Sequence, residues 1–364
     1  MSSGFPFWLK IFFGILASCF VSYLMTPPVK RFAEIVGAID VPKDDRRVHD
    51  HPIPRMGGMA IFVGFIVSVF FFVDMTTPVM GMLLGAFIIV IMGAIDDIVS
   101  LNPWIKLLGQ VAAALVVIRC GIVFDAISTL NSSSEIHTVS TGWLSIPLTI
   151  LWIVACTNAV NLIDGLDGLA VGVSGISSLS MLLVSLLVSE PYISVILACL
   201  TGACIGFMPY NLNPAKIFMG DVGSQFLGFV LSVVSLMGLF KFHAIITFLI
   251  PILSLALPLA DTVFAFFRRI LHGQSPFQAD RGHIHHKLLA LGMDQKQAVA
   301  ILYGVSAIFG IIAVLIAGPG TGVRIVCLVA AFLISLAVWL FVFWKGGSTP
   351  AQQNAKHLKQ EDPQ

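Results

Sequence analysis

The chain has 364 residues, of which 57% are hydrophobic and 11% charged, with a mean hydropathy of +0.97 and a net charge of +1. A soluble globule, whose apolar share is about 45–50%, is excluded, and so little net charge gives no reason to expect nucleic acid as a partner. The six cysteines (Cys19, Cys120, Cys156, Cys199, Cys204, Cys327) fall in apolar runs without metal-type spacing and read as small buried hydrophobes.

With about 20 apolar residues needed per span, the sequence predicts an all-α polytopic membrane protein of about eleven transmembrane helices. They lie near 7–26, 57–73, 79–95, 104–120, 143–160, 169–189, 192–209, 223–240, 243–264, 299–317 and 322–344. The first run lacks a basic leading region and a small-residue cleavage site, and leads straight into Thr26-Pro27-Pro28, so it is a retained span ending near that pair. Residues 1–345 form one multi-pass domain, and the polar stretch 346–364, with no hydrophobic face, is expected to be a disordered tail. The longest outer loop, 121–142, is rich in Ser and Thr; its Asn131-Ser132-Ser133 is a glycosylation sequon only in a secretory pathway.

An odd number of spans puts the termini on opposite faces. Loops after odd-numbered spans carry nearly all the Lys and Arg, whereas the opposite loops carry Lys241, which places the N-terminus outside and the C-terminus in the cytoplasm. The same parity puts five polar clusters, 46–58, 96–97, 161–167, 218–224 and 280–286, on the cytoplasmic face.

The first cluster gathers Arg46, Arg47, His49, His51 and Arg55, either as topology-setting charge beside anionic lipid or as ligand contacts, with His49 and Arg55 the candidates. Asp96 and Asp97 are adjacent carboxylates that repel unless a cation, a proton or a base offsets them. They are a solvated helix end or a metal-associated, proton-accepting pair, with Lys106 facing the same surface from the next span. In Asn158-Ala-Val-Asn161-Leu-Ile-Asp164-Gly-Leu-Asp167-Gly168 the two acids line a polar site, because a carboxylate in a span costs roughly 2.5–3.5 kcal/mol. The glycines at 165 and 168 let the backbone leave helical geometry there.

Phe218-Met-Gly-Asp221-Val-Gly-Ser224 puts Asp221 just before an apolar helix, as an N-cap or as a carboxylate for Mg2+ beside a phosphate seat at the helix start. Asp280-Arg281-Gly-His283-Ile-His285-His286 packs an arginine and three histidines together. A zinc site, whose common structural patterns this spacing does not match, stands beside surface exposure and anion binding, the last preferred because it suits Arg forks and imidazole donors. The five clusters together match a nucleoside diphosphate meeting a lipid phosphate at a membrane face.

The motifs HDHPIPRMGG, GAIDD, NAVNLIDGLDGL, FMGDVGS and SPFQADRGHIHH, in that order across residues 26–286, resemble those of the polyprenyl-phosphate N-acetylhexosamine-1-phosphate transferases of glycosyltransferase family 4, related to MraY. The resemblance is to the WecA/TagO-like branch in particular. It implies transfer of N-acetylhexosamine 1-phosphate, GlcNAc-1-phosphate first, from a UDP-sugar to undecaprenyl phosphate in the bacterial cytoplasmic membrane. UMP is released and a lipid-linked cell-envelope glycan, such as a teichoic acid or O-antigen, is begun.

Residue by residue, it implies that Asp221 holds Mg2+ (or Mn2+ in its place) with Asn161, and that Phe218 and Asp167 hold the uridine. Asp96 and Asp97 would lie by the lipid phosphate, one of them as base, with Asp164 in the same catalytic set. Lys106, Arg281 and His283 would contact the diphosphate, and His285 and His286 would shape that loop. A homodimer stays open. One departure, Asp-Asp-Ile-Val-Ser where the peptidoglycan-precursor enzymes carry a basic residue, weighs against UDP-MurNAc-pentapeptide as donor. The rival from another class is a secondary transporter, whose sites sit at mid-membrane between repeated halves; this chain shows no internal repeat and its acids sit at span ends.

Overall fold

In hydrocarbon a backbone N–H or C=O finds a partner only within its own helix or in a closed barrel, so each apolar run closes into a helix. The computed structural model describes residues 5–41, 52–124, 126–130, 136–140, 142–238, 245–271, 283–318, 322–323, 326–331 and 333–334. Helices α1 (Phe7–Ile35), α2 (Gly58–Phe72), α3 (Thr77–Val99), α4 (Pro103–Arg119), α5 (Ser145–Leu162), α6 (Leu169–Leu187), α7 (Pro191–Asn211) and α8 (Gly220–Met237) are followed by α9 (Ile245–Ser254), α10 (Ala256–Leu271), α11 (Ile284–Ala290) and α12 (Gln295–Ala317). Among the described residues seven helical segments are long and apolar enough to cross a membrane: α1, α3, α5 with its preceding turn, α6, α7, α8 and α12. The protein is thus a helical, multi-pass membrane protein, and large apolar side chains such as Trp8, Phe20, Phe71, Leu108 and Leu151 stay exposed around it, as a lipid solvent allows.

Local signals set the helix ends. Asn102 accepts from Trp104 N–H (3.0 Å) and Pro103 opens α4, where no N–H is needed. Asp294 and Gln297 form a reciprocal capping box at the start of α12.

Three expectations change. The first helix does not stop at Pro27-Pro28 but runs on to Ile35; Thr26 Oγ1 donates to Ser22 O (2.8 Å), a side-chain bond inside the stretch where the prolines withhold theirs. The expected span 243–264 is two helices broken at Leu255. Pro258 cannot donate to Ser254 O, and Ser177 Oγ from α6 takes that carbonyl instead (2.5 Å). The loop 121–142 contains an antiparallel pair of strands, β3 (Ala126–Leu130) with β4 (Ile136–Ser140); β1 (Ile39–Asp40) and β2 (Ile53–Pro54) form a second, shorter ladder. Asn131 to Ser133, most of the expected span 322–344 and the tail 346–364 lie outside the described residues.

Helix α8 is the axis of the bundle, buried along nearly its whole length and packed by α2, α3, α5 and α6. Close approach of its first turn to α2 and α3 requires glycine, since a Cβ at Gly58 or Gly93 would run into the backbone at Gly223 or Val222. On the other flank, α1 lays the backbone of Ile15 and Cys19 against Gly202 and Gly206 of α7, and Ser18 and Ser22 against Gly64 of α2, the close packing that replaces the hydrophobic effect in lipid. All six cysteines are unpaired, four of them buried.

Candidate active site

The start of α8 gathers the acidic clusters at one end of the bundle. A backbone ladder runs from Phe218 N–H to Pro54 O (2.8 Å), from Gly57 N–H to Phe218 O (2.9 Å) and from Gly58 N–H to Met219 O (2.8 Å), and so lays Arg55 over that helix start. Gly220 turns the chain into α8 with φ +71°, and a Cβ there would meet the carboxylate of Asp97.

Asp97 is the cap of α8, supplied by α3. Its Oδ1 accepts from Asp221 N–H (3.0 Å), its Oδ2 from Val222 N–H (3.3 Å), and Arg55 Nη2 lies 3.1 Å from Oδ1. Its side chain is 0% exposed. This corrects two sequence expectations. Asp221 is not the N-cap, for it lies inside the first turn after Met219; and two of the N–H groups at the helix start, those of Asp221 and Val222, are taken by the carboxylate from α3 and not by a phosphate.

The neighbouring Asp96 points elsewhere. Its Oδ1 accepts from Leu101 N–H (2.6 Å), while Lys106 Nζ bridges Asp96 Oδ2 (2.5 Å) and Asp221 Oδ2 (2.8 Å). Successive helical residues diverge by about 100°, so the adjacent pair serves two different neighbours. Arg55 Nη2 also approaches Asp221 Oδ1 at 3.9 Å. Burial alone lowers the affinity of the Arg55 guanidinium for its proton, but Asp97, Asp221, Asp40 and Asp96 outweigh that and hold it more firmly charged.

From α5, Asn161 Nδ2 donates to Ser224 Oγ (2.8 Å), whose own proton goes to Gly220 O (3.0 Å). This sets the amide orientation and leaves Asn161 Oδ1 without a donor among the described residues. Asp164, in the turn after α5, has no hydrogen-bonded side-chain partner among them either. Desolvation first, then the charges of Asp221 and Asp97, push its carboxyl up to about 8. With all four acids ionised, Asp96, Asp97, Asp164 and Asp221 exceed Lys106 and Arg55 by two negative charges.

Asp167 braces the chain that leads to Phe218: its Oδ2 accepts from Asn213 Nδ2 (2.9 Å) and Ala215 N–H (3.0 Å), and the same Asn213 nitrogen reaches Gln295 Oε1 at the head of α12 (2.8 Å). The histidine segment docks on the other side of the acidic turn. Asp261 of α10 receives Ile284 N–H (2.9 Å) and pairs with His283 Nδ1 (2.9 Å), so it anchors the start of α11. His285 stacks on His283 with centroids 5.8 Å apart and packs its ring on Gly165, where any Cβ would collide. Burial, followed by the charge of His286, drives His285 down to about 3, so it is neutral at any physiological pH. His286 lies beside it at 4.3 Å between centroids.

The structure thus brings together Asp96, Asp97, Asp164, Asp221, Asn161, Lys106 and Arg55, with Asp167 and His285 on the turn that borders them. His49 and Arg281 lie outside the described residues. Sequence reasoning missed Asp261, Asn213, Gln295, Gln110 and Gln225. Asp261, Gln110 and Gln225 had a signal, a polar side chain inside an apolar run; Asn213, in the loop after α7, and Gln295, in the polar first turn of α12, had none.

Residues 79–239 match the family model described as Glycosyl transferase family 4. A Bacillus subtilis (strain 168) protein named "Probable undecaprenyl-phosphate N-acetylglucosaminyl 1-phosphate transferase" is 40% identical over 311 residues, 85% of each chain. The Mycobacterium tuberculosis decaprenyl-phosphate N-acetylglucosaminephosphotransferase is 33% identical over 79% of this chain and 78% of its own. A Staphylococcus aureus phospho-N-acetylmuramoyl-pentapeptide-transferase is 31% identical over 71% and 83%. The chain therefore belongs to glycosyl transferase family 4, and the Bacillus and Mycobacterium relatives are by name N-acetylglucosamine-phosphate transferases of undecaprenyl and decaprenyl phosphate. Within it the order of identities fits the WecA/TagO-like branch, N-acetylglucosamine-phosphate transferases ahead of the muramoyl-pentapeptide enzymes.

Proposed function

We propose that this protein transfers N-acetylglucosamine 1-phosphate from UDP-GlcNAc to undecaprenyl phosphate at the cytoplasmic face of a bacterial inner membrane, releasing UMP and beginning a lipid-linked envelope glycan. The observation that carries the reading is the convergence of four carboxylates, Lys106 and Arg55 at one end of a membrane bundle, in a chain 40% identical to the Bacillus protein so named. An N-terminus outside the cell, about eleven spans and a cytoplasmic site belong to the same reading, supported by the one-sided distribution of Lys and Arg.

Mg2+, with Mn2+ able to replace it, is part of the proposal. Among the described residues no three His, Cys, Asp or Glu side chains form a ready-made cage, which suits an ion that takes one or two carboxylates and fills its shell with water and substrate phosphates. The Asp164 carboxylate and Asn161 Oδ1, both without hydrogen-bond partners among the described residues, fit it beside Asp221, as does the excess of negative charge that the four acids reach when all are ionised. When bound, the ion neutralises charge on the diphosphate oxygens.

The chain's own groups supply the rest. A lipid phosphate oxygen attacks the sugar-linked phosphorus in line, the bond to the oxygen of the uridine-linked phosphate breaks, and UMP leaves with that electron pair. Lys106 and Arg55 place positive charge where the five-coordinate phosphorus gathers negative charge. Holding donor and acceptor in register supplies most of the acceleration, and a phosphate oxyanion needs no covalent enzyme intermediate. Asp97, sealed and fully bonded, acts here as a positioning residue for Arg55 and α8. Asp167 and Phe218 border the uridine, His283 contacts the diphosphate, and His285 and His286 shape the same segment.

The test is UMP and lipid-product formation by purified protein with undecaprenyl phosphate and Mg2+, offered UDP-GlcNAc and UDP-MurNAc-pentapeptide in parallel. Turnover of the peptide donor alone overturns the donor assignment, and full activity in Asp221→Ala removes that residue from the site.

A further inference from the structure

Behind the carboxylates lies a polar chain that the reaction outlined above does not use. Gln110 in α4, Asn158 in α5 and Gln225 in α8 meet inside the bundle, the two glutamines each 1% exposed. Amides in such a place are costly unless every group is bonded, and these are bonded in a directed way. Asn158 Nδ2 donates to Val154 O (2.8 Å); since a carbonyl only accepts, this fixes which way the Asn158 amide faces. The same nitrogen donates to Gln110 Oε1 (2.6 Å), which turns Gln110 Nε2 toward Gln225 Oε1 (3.1 Å) and Asn158 Oδ1 (3.3 Å). Gln225 Nε2 is thereby aimed at Asp221 Oδ2 (2.9 Å). That oxygen also receives Lys106, so Oδ2 is held from two sides while Oδ1 is left on the side of Arg55.

We propose that Gln110, Asn158 and Gln225 form an orienting relay, anchored on a backbone carbonyl of α5, that locks the Asp221 carboxylate with Oδ1 presented to the pocket and so sets the affinity of the site for a divalent cation. The inference rests on the reading of Asp221 as a cation ligand and adds three positioning residues to it. A relay differs from plain packing in that removing a distant member loosens Asp221 without touching it.

The experiment is a titration of detergent-purified full-length protein with Mn2+, followed by electron paramagnetic resonance in the absence of substrate. Alongside it run melting in EDTA and the Mg2+ dependence of UMP release. Gln225→Leu is expected to weaken Mn2+ binding about 10- to 100-fold, the usual effect of removing an outer-shell partner. The Mg2+ needed for half-maximal UMP release rises in step, by more than kcat falls. Gln110→Leu weakens binding in the same direction by less, and the double variant is no weaker than Gln225→Leu alone. If Gln225→Leu does not fold, Gln110→Leu and Asn158→Leu carry the same test. Unchanged Mn2+ affinity in the folded variants, additive losses in the double variant, or lowered melting without weaker binding would each overturn the relay, and so would a wild-type protein that binds no Mn2+. Wild-type protein that binds Mn2+ but releases no UMP refutes the proposed function and leaves the relay standing.

Discussion

Asp97→Asn separates a capping carboxylate from a catalytic base. The wild-type carboxylate accepts the N–H groups of Asp221 and Val222, one on each oxygen, and lies 3.1 Å from Arg55 Nη2. An amide of the same shape keeps one acceptor and turns an NH2 against the other N–H. Leaving a buried donor unsatisfied costs about 1–3 kcal/mol. Removing one partner of a buried ion pair costs about 3–5 kcal/mol, here reduced because Arg55 is 27% exposed and keeps its approach to Asp221 at 3.9 Å. We expect a loss of about 2–4 kcal/mol, seen as a lower melting midpoint of the detergent-purified variant, together with reduced UMP release and weaker Mn2+ binding as Asp221 shifts. Asp97→Asn that melts like wild type while losing all turnover would refute the capping role and restore Asp97 as a proton acceptor.

Other consequences can be measured on the same preparation. Because the Asp164 carboxyl is raised to about 8, the cation-free folded state holds a proton there that the unfolded chain has already released. This contribution to stability is full at low pH, falls as pH rises from the ordinary carboxylate range to about 8, and is flat beyond; Asp164→Asn should remove that part of the slope in a series of melts. For the same reason Mn2+ affinity should climb with pH up to about 8 in wild type and less steeply in Asp164→Asn, and equal slopes would contradict the placement of Asp164 by the cation. Gly220→Ala should destabilise by about 1–2 kcal/mol from positive φ alone and by more from the collision with Asp97, so a neutral melt would exclude the tight turn. Ser177→Ala should cost about 1–3 kcal/mol by orphaning Ser254 O at the break between α9 and α10, while Ser177→Thr restores the bond.

Much was legible from residue order. Hydropathy is a local, additive property, so the apolar runs marked a polytopic membrane protein, and the one-sided charges grouped the five polar clusters before any contact was known. The particular motifs carried the family. What order could not reveal was pairing between distant residues. Asp96 and Asp97 are indistinguishable in a string, yet one faces Lys106 and the other is sealed over α8, because adjacent positions on a helix point in different directions. A cap supplied by another helix leaves no mark next to Asp221, and the amides at 110, 158 and 225 become a chain only once α4, α5 and α8 are packed side by side. The sequence by itself determined the solvent and the class, and it named candidate groups for the site. The tertiary structure decided which of those groups share a hydrogen bond, since bond partners depend on distance and direction in space and not on spacing along the chain.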